Sequence, residues 1–199
     1  MNLNELRDKA FSIAVRSGWH EEDQSDEHFL CLVISELMEA VEADRKGRYA
    51  SKDRFIMEFE YIVNEQNLHG HLYDAAYVSV FDKYIKDTVD DELADTCIRI
   101  FDLAGLRKTN LSDIPFPIYN SNDHKDSRKS LTFTEWVYDV TRVISRFNKN
   151  NYPIGYLFVG ILQEICCKAE MIECDILWHI EQKMKYNELR PYKHGDKSY

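Results

Sequence analysis

Two stretches of the chain place carboxylates inside otherwise apolar helical sequence: Ile34-Ser-Glu36-Leu-Met-Glu39-Ala-Val41 and Glu92-Leu-Ala-Asp95-Thr-Cys-Ile-Arg99-Ile-Phe-Asp102. Residues three apart project from the same side of an α-helix, so Glu36 pairs with Glu39 and Glu92 pairs with Asp95. If the two helices pack side by side, four carboxylates converge, and they repel one another unless a cation lies between them. Such hard oxygen ligands favour Mg²⁺ or Mn²⁺.

A solvated acidic face is the simpler interpretation of these pairs, because acids three apart also occur at Glu5/Asp8, Glu39/Glu42, Asp87/Asp90 and Glu170/Glu173. One observation favours a metal site instead. Phe29 and Leu32 precede Glu36 and Glu39 by seven residues and lie on nearly the same helical face, which an exposed stripe would not favour. A di-iron bundle is disfavoured because it needs Glu-x-x-His, and none of the seven histidines has a Glu three residues before it.

The composition excludes several broad classes. The 199 residues include 35 acidic and 25 basic side chains, which gives a net charge of −10 and opposes binding to the phosphate backbone of nucleic acids. No apolar run approaches the roughly 20 residues of a membrane helix, and the first residues lack the features of a signal peptide. We therefore expect a cytoplasmic protein with no nucleic-acid or membrane partner.

The five cysteines include no C-x-x-C pair and are expected to be reduced, buried and inert.

Apolar residues recur mostly at three- and four-residue intervals, and the chain contains only 7 Gly and 4 Pro. This pattern predicts an all-α fold of about six to eight helices. Lys108 to Ser130, with Pro115 and Pro117, is expected to be a long loop. In the first half of the chain, helices are predicted from Leu3 to Arg16, from the N-cap Asp26 to Lys46-Gly47, and from Asp90 to Leu106, with two short helices between Arg54 and Ile85. In the second half, the capping box Thr132-Phe-Thr-Glu135 predicts a helix to about Asn148. Two more helices are predicted after it, one with Pro153 in its first turn and one that is capped by Asp175 and ends near Asn187.

At these motifs the chain resembles the MazG-like all-α nucleoside triphosphate pyrophosphohydrolases. Their signature is Glu-x-x-Glu on one helix and Glu-x-x-Asp on another, which Glu36/Glu39 and Glu92/Asp95 match. The flanking sequences Ser35-Glu-Leu-Met-Glu-Ala-Val-Glu-Ala-Asp-Arg-Lys-Gly47 and Asp91-Glu-Leu-Ala-Asp95 are also similar, as is Lys183-Met-Lys-Tyr-Asn187-Glu-Leu-Arg190-Pro-Tyr-Lys-His-Gly195. The resemblance implies one helical bundle, residues 1–199, around the two acid-bearing helices.

The chain departs from the family pattern at three places. Residues from about 49 to 86 and from about 111 to 151 look like insertions. Ser35 stands where family members often have a further Glu beside the first motif, which leaves the number of bound ions open.

The resemblance also implies an activity. Family members cleave a (deoxy)nucleoside triphosphate between the α and β phosphates with Mg²⁺, and Mn²⁺ can substitute. Glu36, Glu39, Glu92 and Asp95 would be the catalytic residues and the metal ligands. Lys183 and Arg190 would contact phosphate oxygens, and Asn187 would contact phosphate or sugar. A homodimer or homotetramer is expected, because neighbouring chains in this family help to enclose the base.

Several alternatives remain open from the residues alone. Lys183 and Arg190 also fit an ordinary role, since cations near a helix C-terminus complement its dipole, and the same holds for Arg45, Lys46 and Arg48 as weaker phosphate candidates. Trp19 could stack on a base or belong to the core.

Two further groups of side chains also have alternative roles. Asp102 could support the metal ligands or simply pair with Arg99. His69 and His71 flank a glycine and are expected in a surface turn.

Two other functions remain as alternatives. One is a non-catalytic acidic helical protein that binds a basic partner. The other is a hydrolase of a different phosphorylated small molecule.

Overall fold

The computed structural model describes residues 2–114, 122–148 and 150–193, and within these ranges it contains helices and no strands. The predicted all-α fold is therefore confirmed. No helix in the described ranges is long and apolar enough to cross a membrane. The helices are α1 (Leu3–Arg16), α2 (Asp26–Arg45), α3 (Lys52–Gln66), α4 (His71–Tyr84), α5 (Val89–Leu106), α6 (Asn122–Lys129), α7 (Phe133–Ser145), α8 (Ile154–Met171) and α9 (Ile176–Leu189), with a short 3-10 helix at Leu111–Asp113.

Most helix ends follow the capping signals in the sequence. Thr132 and Glu135 form the expected capping box at the start of α7. The Asp175 carboxylate accepts the Trp178 N–H at the start of α9. The predicted cap of α2 is wrong by one residue, because the Ser25 hydroxyl, and not Asp26, accepts the His28 N–H at 3.2 Å.

The stretch from Lys108 to Ser130 is not a simple loop, in contrast to the prediction. The 3-10 helix and α6 both lie in it. Asn122–Lys129 contains no apolar residue, so hydrophobic periodicity could not reveal that helix. Pro115 and Pro117, on which the loop prediction depended, lie outside the described residues.

Helix α5 occupies the centre of the bundle. It packs against α1, α2, α8 and α9. Thirteen of its 18 residues are buried, including the acidic residues Asp90, Asp91, Glu92 and Asp102. A central helix that buries four acids must compensate their charges, because an isolated carboxylate is unstable away from water.

Helices α3 and α4 form a hairpin with a small aromatic core of its own. Phe55, Tyr77 and Phe81 from the hairpin pack with Tyr186 of α9. The rings of Phe81 and Tyr186 are stacked with their centres 4.4 Å apart. The Tyr77 hydroxyl donates a hydrogen bond to the carbonyl of Gln182 at 2.8 Å. The hairpin lies in the stretch 49–86 that we predicted to be an insertion, and it contacts the bundle through α9.

No disulfide bond links the five cysteines, all of which lie in the described ranges. Cys97, Cys167 and Cys174 are buried, as expected, whereas Cys31 and Cys166 are exposed. The prediction of burial is therefore wrong for two of the five, each of which lies on an outward position of an apolar helix.

Candidate functional site

Helices α1, α2, α5 and α9 surround a cavity of about 460 Å³. The eight residues predicted for the site come from three of these helices, from the residue after α9 and from the turn after α1, and all eight line this cavity. They are Glu36, Glu39, Glu92, Asp95, Lys183, Asn187, Arg190 and Trp19. The helix packing therefore brings together residues that are up to 171 positions apart in sequence, from Trp19 to Arg190 (190 − 19).

Three of the four predicted carboxylates form a close group. One carboxylate oxygen from each of Glu36, Glu39 and Glu92 lies within 4.8 Å of the other two. Glu36 and Glu92 are buried, and Glu39 is exposed at the rim. These three oxygens are close enough to bind one divalent ion after small side-chain adjustments, since Mg²⁺–oxygen distances are about 2.1 Å and Ca²⁺–oxygen distances about 2.4 Å.

Burial and mutual repulsion oppose ionisation of these carboxylates. Burial, followed by the charges of Asp91 and Asp95, raises the pKa of Glu92 to about 9. Burial and Asp95 also raise the pKa of Glu36, although Arg99 acts in the opposite direction. A positive charge placed among these side chains would favour their ionised forms.

The Arg99 guanidinium supplies part of that positive charge. Its Nε donates a hydrogen bond to Oε1 of Glu36 at 3.0 Å, which links α5 to α2. The sequence does not indicate this pair, although Arg99 lies one turn after Asp95 and on the same face of α5. The link holds Glu36 in one orientation at the cavity wall.

Asp95 lies outside this close group of three acids and forms an ion pair with Lys183. The Lys183 Nζ lies 2.9 Å from Asp95 Oδ2 and 2.6 Å from Asp91 Oδ2. Burial alone would lower the pKa of Lys183, but the Asp95 and Asp91 carboxylates together raise it. Lys183 is therefore protonated and forms ion pairs with two acids of α5. Asp91, which the sequence motif does not include, is a further charged residue of the site.

Asn187 and Arg190 extend the α9 wall of the cavity. Oδ1 of Asn187 is buried and has no hydrogen-bond partner in the described part of the chain. Such an atom is rare in folded proteins and marks a place where a ligand or a water is needed. The Arg190 guanidinium lies 6.0 Å from the centre of the Tyr186 ring, at the same wall.

Trp19 lies in the turn after α1 and borders both this cavity and a smaller neighbouring one. The chain after α9 returns to this turn, where the Lys193 N–H donates to the carbonyl of Ser17 at 3.0 Å. The Tyr192 ring packs directly on Gly18, which has a φ of +82°. The turn that carries Trp19 is thus held by the chain segment that follows Arg190.

Asp102 lines the inner end of the cavity and pairs with His20. The His20 Nε2 and Asp102 Oδ1 atoms are 2.7 Å apart, and both side chains are buried. Burial raises the pKa of Asp102, whereas the hydrogen bond from His20 and the nearby charge of Arg99 lower it. From the sequence, Arg99 was the one partner suggested for Asp102. His20 lies in a turn, and helical spacing along α5 cannot show which turn residues approach that helix.

The remaining candidates lie away from the cavity. Arg45 and Lys46 are exposed and pair with Glu42 on the surface of α2. Neither of them lines the cavity, and neither does Arg48. His69 and His71 are exposed on either side of Gly70, in agreement with a surface turn.

No family model matches the chain, and neither the curated proteins nor the solved structures include a significant match. The interpretation of the cavity therefore depends on the residues that line it.

Proposed function

We propose that this chain is a Mg²⁺-dependent, MazG-like nucleoside triphosphate pyrophosphohydrolase. It would hydrolyse the bond between the α and β phosphates of a (deoxy)nucleoside triphosphate, giving the monophosphate and pyrophosphate. The observation that carries the proposal is that α2 and α5 direct four acids into a cavity that Asn187 and Arg190 also line. A cavity that combines several acids with a cationic and a polar side chain suits a metal-bound polyphosphate.

Glu36, Glu39 and Glu92 are the residues that would hold the ion, with Asp95 beside them. Their donor set fits Mg²⁺ or Mn²⁺, because it consists of carboxylate oxygens and includes neither sulfur nor imidazole. The chemistry that such an ion supplies is neutralisation of phosphate charge and acidification of the attacking water. Ser35, in place of a further Glu, supplies no additional charge for a second ion.

The cationic and polar residues of the site have different tasks in this proposal. Arg99 orients Glu36 through their 3.0 Å hydrogen bond. Lys183 orients Asp91 and Asp95, so it acts on the substrate through the acids that it holds. Arg190, the residue after α9, is then a cation available for phosphate oxygens, and the unpartnered Oδ1 of Asn187 would accept a hydrogen bond from a sugar hydroxyl.

Trp19 would bind the base by stacking on it, since an aromatic ring offers a flat surface that accepts any base. Because Trp19 and Arg190 line the same cavity, one bound nucleotide would contact both, Trp19 through its base and Arg190 through its phosphates. We expect a homodimer or homotetramer, which light scattering of the purified protein would detect directly.

Product analysis tests the proposal. The purified protein is incubated with Mg²⁺ and a panel of canonical and modified nucleoside triphosphates, and orthophosphate is measured before and after addition of inorganic pyrophosphatase. Orthophosphate that appears only after this addition, together with a nucleoside monophosphate, supports the proposal.

Two other outcomes contradict it. Orthophosphate with a nucleoside diphosphate indicates a different hydrolase. Absence of turnover with every triphosphate favours one of two alternatives, an acidic protein that binds a basic partner or an enzyme that acts on another phosphorylated molecule. Pull-down with basic peptides tests the first alternative, and a second substrate panel tests the other.

A further inference from the structure

A second group of metal-ligand side chains lies outside the acidic cavity. Asp90 is the second residue of α5, Cys174 lies in the turn between α8 and α9, and His179 lies in α9. One ligand atom from each residue lies within 4.8 Å of those from the other two. The three residues are only 7%, 9% and 2% exposed, respectively. Three segments of the chain thus direct a carboxylate, a thiol and an imidazole to one buried point.

The imidazole of His179 lacks the hydrogen bonds that a buried histidine normally has. Its Nδ1 is buried and has no partner among the described residues. Its Nε2 faces Asp90 Oδ1 at 3.7 Å, which is too long for a hydrogen bond. Burial lowers the pKa of His179 and keeps the ring neutral, so a nitrogen lone pair is available. Nε2, the nitrogen that faces Asp90, is therefore the atom with which the ring would bind an ion shared with that carboxylate.

The carboxylate of Asp90 is already oriented for such a group. Its Oδ2 accepts the backbone N–H of Ala50 at 2.9 Å, which fixes the carboxylate and leaves Oδ1 directed towards His179. A hydrogen bond to the far oxygen of a ligating carboxylate is a common support in metal sites.

The donor set favours zinc over the ions proposed for the acidic cavity. Thiolate, imidazole and carboxylate are all zinc ligands, whereas Mg²⁺ rarely accepts sulfur or nitrogen. Two ligands on a tetrahedral zinc ion are about 3.3 Å apart, given bond lengths of about 2.0 Å to N and O. The 3.7 Å between His179 Nε2 and Asp90 Oδ1 is within a few tenths of an ångström of that separation.

Charge balance also favours a divalent ion. Zn²⁺ with one thiolate, one carboxylate and a neutral imidazole carries no net charge, which suits a buried position. Burial and the neighbouring Asp90 raise the pKa of the Cys174 thiol, so the metal-free protein keeps this proton. Binding of the ion forms a Zn–S bond and releases that proton to the solvent.

We propose that Asp90, Cys174 and His179 bind one Zn²⁺ ion, with a water as the fourth ligand, and that this ion ties α9 to α5. Asp90 precedes Asp91, and His179 lies one helical turn before Lys183. The zinc site would therefore set the distance between the two helices beside the Lys183–Asp91 ion pair. This proposal is independent of the hydrolase activity proposed for the acidic cavity.

Cobalt substitution provides the test. Metal-free protein is titrated with Co²⁺ and then Zn²⁺ in excess Mg²⁺, which occupies the carboxylates of the acidic cavity. We expect one ion per chain, a thiolate-to-cobalt charge-transfer band, and its loss when Zn²⁺ displaces Co²⁺. Cys174→Ala should abolish the band and weaken zinc binding by more than the roughly 10- to 100-fold loss typical of supporting residues. Cys167→Ala, a buried thiol on α8 outside the group, should retain both.

A band that persists in Cys174→Ala, or wild-type protein without a band, would overturn the proposal. If Cys174→Ala does not fold, alkylation of wild-type protein decides the question. Zn²⁺ should slow modification of Cys174, located by peptide mass spectrometry, and leave the exposed Cys31 unprotected. Equal modification of Cys174 with and without Zn²⁺ rejects the site.

Discussion

The Nζ of Lys183 lies 2.6 Å from Oδ2 of Asp91, and both side chains are almost completely buried. This contact joins α9 to α5 at the inner wall of the acidic cavity. Oδ2 of Asp91 also accepts the Asp87 N–H at 3.1 Å, whereas its other oxygen has no hydrogen-bond partner in the described part of the chain, so Lys183 is the ion-pair partner of this carboxylate. This one ion pair therefore affects both the stability of the protein and the geometry of the site.

Replacement of Lys183 by Met should destabilise the protein strongly. The substitution leaves Asp91 buried without its cation, and loss of one partner from a buried pair lowers the free energy of unfolding by about 3–5 kcal/mol. Urea unfolding followed by circular dichroism measures this change. The control is Lys46→Met, because the exposed Lys46 pairs only at the surface. A loss below about 1 kcal/mol for Lys183→Met would show that the pair is not a buried ion pair.

Without divalent ions, stability should decrease as the pH rises. The pKa of Glu92 is about 9 in the folded protein, against an ordinary value of 4.5. Because the folded state binds this proton more tightly, the associated stabilisation is complete below pH 4.5 and is lost as the pH approaches about 9. Glu92 alone contributes a slope of at most about 1.4 kcal/mol per pH unit. Urea unfolding in EDTA measures it.

Glu92→Gln provides the comparison, because an amide does not ionise in this range. Its stability should vary less with pH than that of the wild type. Parallel profiles for the two proteins would mean that Glu92 ionises normally.

Mg²⁺ should stabilise the folded protein through the carboxylates of α2 and α5. At 100 times the dissociation constant, a bound ion adds about 2.7 kcal/mol to the free energy of unfolding. Glu39→Gln should remove most of this gain in a thermal unfolding experiment. Glu42→Gln is the matched control, since Glu42 is on the same helix but pairs with Lys46 at the surface. An equal Mg²⁺ effect in both variants would place the ion elsewhere.

Turnover should depend on the same acids. We expect Glu39→Gln and Asp95→Asn each to reduce the rate of pyrophosphate release by at least about 100-fold, because each removes charge from the metal-binding wall. The helical circular dichroism signal should change little. Glu42→Gln should retain wild-type turnover. If both Glu39→Gln and Asp95→Asn remain active, the reaction takes place at another site.

Gly18→Ala should destabilise the protein more than Gly47→Ala. Both glycines have positive φ, which a residue with a Cβ adopts at a penalty of about 1–2 kcal/mol. Only at Gly18 would the new methyl group also collide with a ring, that of Tyr192, whereas nothing lies within 4 Å at Gly47. Overpacking of this kind adds about 1–3 kcal/mol. Equal losses in urea unfolding would show that Tyr192 moves away freely.

Helical periodicity and capping residues were sufficient to predict most of the bundle. The first helix was expected from Leu3 to Arg16, as observed, and α5 differs from its prediction by one residue. These helices each have an apolar face that repeats along several turns. Helix α6 has none, so its formation was not apparent from hydrophobic pattern.

The sequence was sufficient to predict eight residues that line the cavity, but not the ion pairs that these and neighbouring residues form. Spacing within α2, α5 and α9 indicates which acids and cations share a face, and these residues do meet. The pairing of Arg99 with Glu36 depends on how α5 is rotated against α2, and that of His20 with Asp102 depends on the path of a turn. Both are tertiary properties, without a local signal in the sequence.

The aromatic hairpin of α3 and α4 is part of the support of α9, although it lies in the stretch predicted to be an insertion. Its rings cover the back of α9, and the front of the same helix presents Lys183 and Asn187 to the cavity. A minimal version of the protein made by excising α3 and α4 would leave Tyr186 facing water and α9 supported from one side only. Such a trimmed chain would need replacement of the aromatic residues of α9 before its cavity could keep its shape.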